Sequence, residues 1–257
     1  MTHELTPLTE RPAILYKYLG KKGARDFLEE PQLRYPKFTE LDDVCDSIPA
    51  FSELTEEESH RHAVERVRQL PNLSVSPEKG IIFFEKLGLL SPSYLEQRLR
   101  EGMDKWSPST YICSLSAPNY SLALWALYAD KHAGIAFGIS STLGRVIAQK
   151  DRFLEKVRYT ERRPSTPFNN PRPEDVAQVF WTKGTDWSHQ KEWRIISPSN
   201  ETDMLRCGEV AEVIFGYRYA GDKEKYRHRE IFKQTRFFEA FPSPSEFRME
   251  IREINST

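Results

Sequence analysis

Large apolar residues recur along this chain in two rhythms, and each rhythm predicts an element. Ile14 to Leu19 (ILYKYL) places bulky β-forming side chains on both faces and predicts an early, largely buried strand. Residues 56 to 69 and 92 to 101 repeat at three and four and predict amphipathic helices, the second with Ser91 as cap and Pro92 at its first position. A short strand is expected over 110 to 115, a helix over 122 to 131 stopped by Gly134, and a strand over 134 to 139. A helix over 141 to 149 and a strand over 154 to 159 follow. The Pro- and Asn-rich stretch 160 to 173 reads as a loop that leads into a helix from Glu174 to about Trp181. The last third predicts strands at 192 to 196, 209 to 216 and 246 to 254, the final one alternating Phe247, Met249 and Ile251 against charges.

This order is neither regular βαβ alternation nor all-β. It predicts an α+β fold, a mixed and mostly antiparallel sheet with flanking helices, in one domain over 12 to 257 behind a mobile tail at 1 to 11. The 39% of hydrophobic residues among 257 suffices for a sizeable core. Thirty-seven Lys and Arg balance 38 Asp and Glu, so no long-range field draws the chain to nucleic acid. The opening MTHELTPLTERPA has no basic and then apolar signal pattern, and no apolar run is long enough to span a bilayer, which predicts a cytoplasmic protein without membrane contact. Cys45, Cys113 and Cys207 stand far apart with no zinc-ligand spacing, as expected of reduced thiols. The His60-x-His62 pair sits in a polar helical run and reads as a solvated face.

The most suggestive chemistry is Gln190-x-Glu192 at the start of a predicted strand. Residues two apart on a strand share a face, so amide and carboxylate should converge. Pairing of Glu192 and Arg194 with charges across the sheet would equally explain them. Lys17 is expected to snorkel or to pair with Asp43 or Asp46. Trp125, Tyr128 and His132 form one helical stripe, for which core packing and the helix dipole suffice. Trp181, Trp187 and Trp193 read as core or hairpin anchors. The absence of a Gly-rich phosphate loop, a G-x-S-x-G elbow and H-E-x-x-H argues against an NTPase, an α/β-hydrolase and a common metalloprotease.

Four blocks occur in a particular order: Leu15-Tyr16-Lys17-Tyr18, followed by Tyr35-Pro36-Lys37-Phe38 and Leu41 to Asp46; Cys113 to Ser116, leading to Trp125-Ala-Leu-Tyr-Ala-Asp-Lys-His-Ala-Gly134; Val157-Arg158-Tyr159; and Lys183, Trp187 and Lys191-Glu-Trp-Arg194. From Ile14 to about Gly216 the set resembles the bacterial domain-of-unknown-function family 2971. The sequence departs from that pattern in three places. It has Asp42-Asp-Val-Cys-Asp46 for N-D-P-F-D, Leu127 for the His of W-S-H-Y, and Gln190 for the first acid of E-K-E.

The Q-x-E segment is similar to the strand motif of ADP-ribosyltransferases, which implies NAD as substrate. In that chemistry Glu192 is the carboxylate facing an oxocarbenium-like state, with Gln190 and Lys17 beside it. Tyr18 would hold the ribose or amide, Tyr35, Trp125 or Tyr128 would stack on the nicotinamide, and His132, Lys183 and Arg194 complete the nucleotide-binding candidates. Relatives of the family resemble abortive-infection proteins, which implies a toxin or phage-defence effector acting on a protein or nucleic-acid target. Two alternatives stand beside it: a non-catalytic ligand- or partner-binding module of the same fold, and a nuclease using Asp42, Asp43, Asp46 and Glu192 on a divalent metal.

Overall fold

The computed structural model describes residues 10–51, 76–86, 109–141, 152–166 and 173–254; the helices expected at 56–69 and 92–101, nearly all of that at 141–149 and the His60-x-His62 pair lie outside them. The described strands are β1 Ile14–Leu19, β2 Gln32–Leu33, β3 Ala50–Phe51, β4 Tyr111–Ser116, β5 Ile135–Ser140, β6 Phe153–Lys156, β7 Arg158–Thr160, β8 Ser165–Thr166, β9 Thr182–Gly184, β10 Glu192–Ser197, β11 Asp203–Met204, β12 Val210–Phe215, β13 Arg236–Pro242 and β14 Met249–Glu253. Eight of these build one sheet in the order β14-β13-β12-β5-β1-β4-β10-β6, every neighbouring pair antiparallel except β12 with β13. The expected α+β class, a mixed and mostly antiparallel sheet with flanking helices, is what forms.

Strand alternation sorts the core into two faces. Leu15, Leu115, Phe137, Trp193, Ile195 and Val213 point to one face, under the helix Lys21–Glu29, which inserts Ala24, Phe27 and Leu28. Tyr16, Tyr18, Ala136 and Ile214 point to the other, under Leu124 and Trp125 of the helix Leu122–Tyr128. The helix Lys21–Glu29 is not among the expected elements, although its buried residues follow the spacing of one helical face. Strand β13 is likewise unanticipated. The final strand starts at Met249, not Glu246, and Phe247, expected inward, is fully exposed. The strand expected over 154 to 159 breaks at Val157, whose N–H donates to the Glu192 carbonyl at 2.9 Å, and β7 then pairs in parallel with β9.

The helix after Ser121 is shorter than its apolar pattern suggests. It ends at Tyr128 because Asp130, Lys131 and His132 adopt φ of 49°, 54° and 70°. This left-handed hook is tied down from both sides. The His132 N–H donates to the Trp125 carbonyl at 3.0 Å, and the His132 and Gly134 carbonyls accept from Arg218 and Gly216 at 2.8 and 2.9 Å. A Cβ at position 134 would lie 1.9 Å from the Leu19 carbonyl oxygen, so only glycine fits there.

Cys45, Cys113 and Cys207 are free, and burial pushes the Cys113 thiol pKa up. Among the described residues, no helix is long and apolar enough to cross a membrane.

Candidate functional site

Strands β1 and β4 touch at a single registered pair, Tyr16 with Ser116, whereas β4 and β10 pair continuously from Ser116 with Glu192 to Tyr111 with Ser197. Beyond Tyr16 the first two strands part. Lys17 fills the gap: its Nζ donates to the Ser114 carbonyl at 2.9 Å, taking an acceptor that the ladder leaves open. By alternation the Lys17 side chain starts on the face of Leu15 and Leu19, opposite Glu192, and reaches the Glu192 side only through this opening. The opening leads into a cavity of about 220 Å³ that both residues line, with Tyr18, Tyr128, Lys183 and Gln190.

The floor of the cavity is a closed set of charges. Arg194 is fully buried; its Nε donates to Glu192 Oε1 at 2.8 Å, and its two terminal nitrogens grip both oxygens of Asp46 at 2.9 and 2.6 Å. Lys183 Nζ donates to Glu192 Oε2 and to Gln190 Oε1, each at 3.0 Å, and lies 3.3 Å from Asp46 Oδ2. Two cations therefore neutralise two carboxylates. The Gln190 amide donates onward to the Tyr128 hydroxyl at 2.8 Å, and the Tyr159 hydroxyl accepts the Glu192 N–H at 2.8 Å. Low dielectric strengthens each of these contacts and makes the loss of any one partner costly.

Gln190 and Glu192 do converge, but not as neighbours on a strand face. Gln190 ends the short 3-10 helix Thr185–Gln190, and Lys191 turns the chain through φ 42° before β10 begins at Glu192. That left-handed residue, rather than strand alternation, lays amide and carboxylate against the same ammonium.

Burial alone would raise the Glu192 carboxyl, yet the Arg194 guanidinium and Lys183 ammonium, with hydrogen bonds from Arg194 and Ser114, hold it down at about 2. For Arg194, burial is outweighed by Glu192 and Asp46, and its pKa goes up. Burial also raises the pKa of Tyr128, and that of Tyr159 to about 12. At neutral pH Glu192 is thus a carboxylate and both phenols keep their protons.

The remaining predicted residues divide by location. Tyr18 lines the cavity, with its hydroxyl donating to the Pro118 carbonyl at 2.8 Å and its ring edge-on to Trp125 at 5.2 Å. Trp125 itself is wholly core, its Nε1 donating to the Asn119 carbonyl at 2.8 Å. His132 sits in the left-handed hook rather than on the helix stripe; its pKa is lowered by burial and by Arg218. Tyr35 belongs to the opposite side of the sheet, donating to Asp203 at 2.6 Å under the stacked Arg152 guanidinium, and lines a second cavity of about 520 Å³. Leu127 is 59% exposed and lines neither cavity, so the departure from the family His there does not alter the cleft.

Sequence reasoning did not single out Tyr159, Ser114 or Trp187 for the site, nor Asp46 as the partner of Arg194. Asp46 and Arg194 are 148 positions apart, a pairing that only the tertiary fold creates. Trp187 carries the Lys183 ammonium 5.1 Å over its ring and forms part of the cavity wall. Among the described residues, no group of three or more His, Cys, Asp and Glu is arranged to hold a metal.

No curated protein and no solved structure matches this chain. Residues 124–195, which run from the helix bearing Trp125 and Tyr128 to the strand bearing Glu192 and Arg194, match the model of a family described as Protein of unknown function (DUF2971).

Proposed function

We propose that this chain is an ADP-ribosyltransferase-like protein that takes NAD as substrate in the cleft where β1 and β4 separate. The observation that carries the proposal is the meeting of Gln190, Glu192 and Lys183 on the floor of a cavity walled by Tyr18, Tyr128 and Trp187. An ionised, buried carboxylate on the floor of a cleft, with aromatic faces beside it, suits a reaction that builds positive charge at a sugar carbon. In that reaction the bond from ribose C1′ to the nicotinamide nitrogen breaks and its electron pair leaves with nicotinamide. Glu192 then faces the cationic carbon until an acceptor hydroxyl, amine or water attacks it and releases a proton to solvent. Lys183 and Arg194 keep the carboxylate charged, and the Gln190 to Tyr128 hydrogen bond fixes the amide.

A second reading, a module that binds the nucleotide without transforming it, is favoured by one feature. Both Glu192 oxygens already accept from Arg194 and Lys183, and the side chain is 3% exposed. Incubation with NAD labelled in the ADP-ribose portion, with free nicotinamide measured, separates the two. Transfer or nicotinamide release that disappears in Glu192→Gln supports catalysis; saturable binding with no release supports the module; absence of binding contradicts both. A divalent-metal nuclease would need its ion to displace Arg194 from Asp46 and Lys183 from Glu192, and the geometry gives it no support.

A further inference from the structure

The hydrogen bonds on the floor of the Glu192 cavity have a direction, and Lys183 sets it. An ammonium only donates, so the Gln190 atom 3.0 Å from Lys183 Nζ is the amide oxygen. The amide nitrogen therefore faces Tyr128 and donates to its hydroxyl oxygen at 2.8 Å. Reversing this bond would turn the Gln190 amide N–H groups onto the ammonium, donor against donor inside the protein. The Tyr128 oxygen is thus an acceptor toward Gln190 and keeps its own proton to give. Among the described residues no acceptor takes that proton.

The neighbouring donors are engaged elsewhere. The Lys183 ammonium meets Gln190, Glu192 and Asp46, and Arg194 is fully buried on Glu192, Asp46 and the Phe180 carbonyl. The Tyr18 hydroxyl donates to the Pro118 carbonyl and Lys17 to that of Ser114. Tyr128 and Gln190 both line the cavity, so the bond between them lies in its wall, and the spare proton is offered there. Burial raises the Tyr128 pKa, which keeps that proton in place at neutral pH.

Resting on the NAD reading above, we infer that Tyr128 is a specificity-determining hydrogen-bond donor, that its partner is the carboxamide oxygen of the nicotinamide ring, and that the site thereby selects a ring carrying a carbonyl group. The run of bonds from Lys183 through Gln190 to Tyr128 then ends on the ligand, with each group donating to the next. A ring without that oxygen leaves the phenol proton unmatched in the cavity wall.

Calorimetric titration of the wild type and of Tyr128→Phe tests this, with NAD and its analogue carrying pyridine in place of nicotinamide as probes. The analogue keeps the ring charge and the rest of the dinucleotide and lacks only the carboxamide. The wild type is expected to bind NAD about fivefold tighter than the analogue, the worth of one neutral hydrogen bond. Tyr128→Phe is expected to bind both probes as the wild type binds the analogue. Equal affinities in the wild type, an NAD affinity unchanged in Tyr128→Phe, or the same weakening for both probes overturns the donor role and leaves the NAD reading intact. Tyr128→Phe takes the acceptor from the Gln190 amide, and where that variant does not fold, the thionicotinamide dinucleotide serves on the wild type alone. Its sulfur is a weaker acceptor, so its affinity is expected to fall between those of NAD and the pyridine analogue, and affinity equal to that of NAD overturns the donor role. Failure of the wild type to bind any of these dinucleotides removes the NAD reading and the donor role with it.

Discussion

The segments Trp125–Gly134 and Lys183–Arg194 both lie within the span that matches the family model, and both contain left-handed non-glycine residues, yet they do different work. In the first, the polar backbone is consumed by architecture: the hook at 130–132 bonds to the helix before it and to β12's exit, and its one exposed large apolar side chain, Leu127, faces solvent. In the second, Lys191 turns the chain so that buried charges collect under an opening. Backbone strain of about 1–3 kcal/mol per residue is tolerated in both, but the first reaches the cavity only through Tyr128, whereas the second forms its floor. The Trp125–Gly134 block thus serves mainly as a joint in the fold, with Tyr128 as its side chain in the cleft.

Substitutions in the two segments should differ in kind. Removing Arg194 has the largest expected effect, because Asp46 loses both guanidinium contacts and Glu192 loses one inside the protein. Arg194→Ala is expected to lower unfolding stability by about 3–5 kcal/mol, measured by urea denaturation. Gly134→Ala forces a methyl group toward the Leu19 carbonyl and is expected to lose on the order of 3 kcal/mol. Where that variant remains folded, its affinity for NAD should match the wild type, since residue 134 lines neither cavity.

Acid acts on both segments, through His132, whose pKa is lowered by burial, and through Glu192, and comparing the wild type with Glu192→Gln isolates the second. The folded pKa of Glu192, about 2, lies below that of an unfolded Glu, about 4.3, so its contribution is complete above the unfolded value and is lost as pH falls toward 2. The difference corresponds to about 3 kcal/mol. Denaturation curves collected from pH 7 to pH 3 should fall more steeply for the wild type than for Glu192→Gln, which lacks this titration. The smallest effect is expected at Leu127: on an exposed helix face, Leu127→Ala should change stability by less than about 0.5 kcal/mol and leave ligand binding alone.

How much of this was visible in the chain follows from where each interaction is made. Strands β1, β4, β5, β10 and β12 were legible because dense apolar runs mark the middle of a sheet covered on both faces. The helix Lys21–Glu29 was not, since KKGARDFLE opens with charges, contains a glycine and has no capping side chain. The pairing of Gln190 with Glu192 was legible as a spacing, though the left-handed Lys191 that produces it was not. Asp46 and Tyr159 escaped because local sequence does not encode which distant carboxylate or phenol a buried arginine or strand N–H will meet.

The cleft can be probed through Trp187, whose ring lies 5.1 Å from the Lys183 ammonium. Trp187 is half-buried and shapes the cavity wall, so Trp187→Ala should fold normally. Titration calorimetry with NAD on the wild type and on Trp187→Ala should show saturable binding to the first and at least about tenfold weaker binding to the second, the loss of one aromatic face. No binding to the wild type at millimolar NAD, or equal affinity for the two proteins, would contradict a nucleotide site at the parting of β1 and β4.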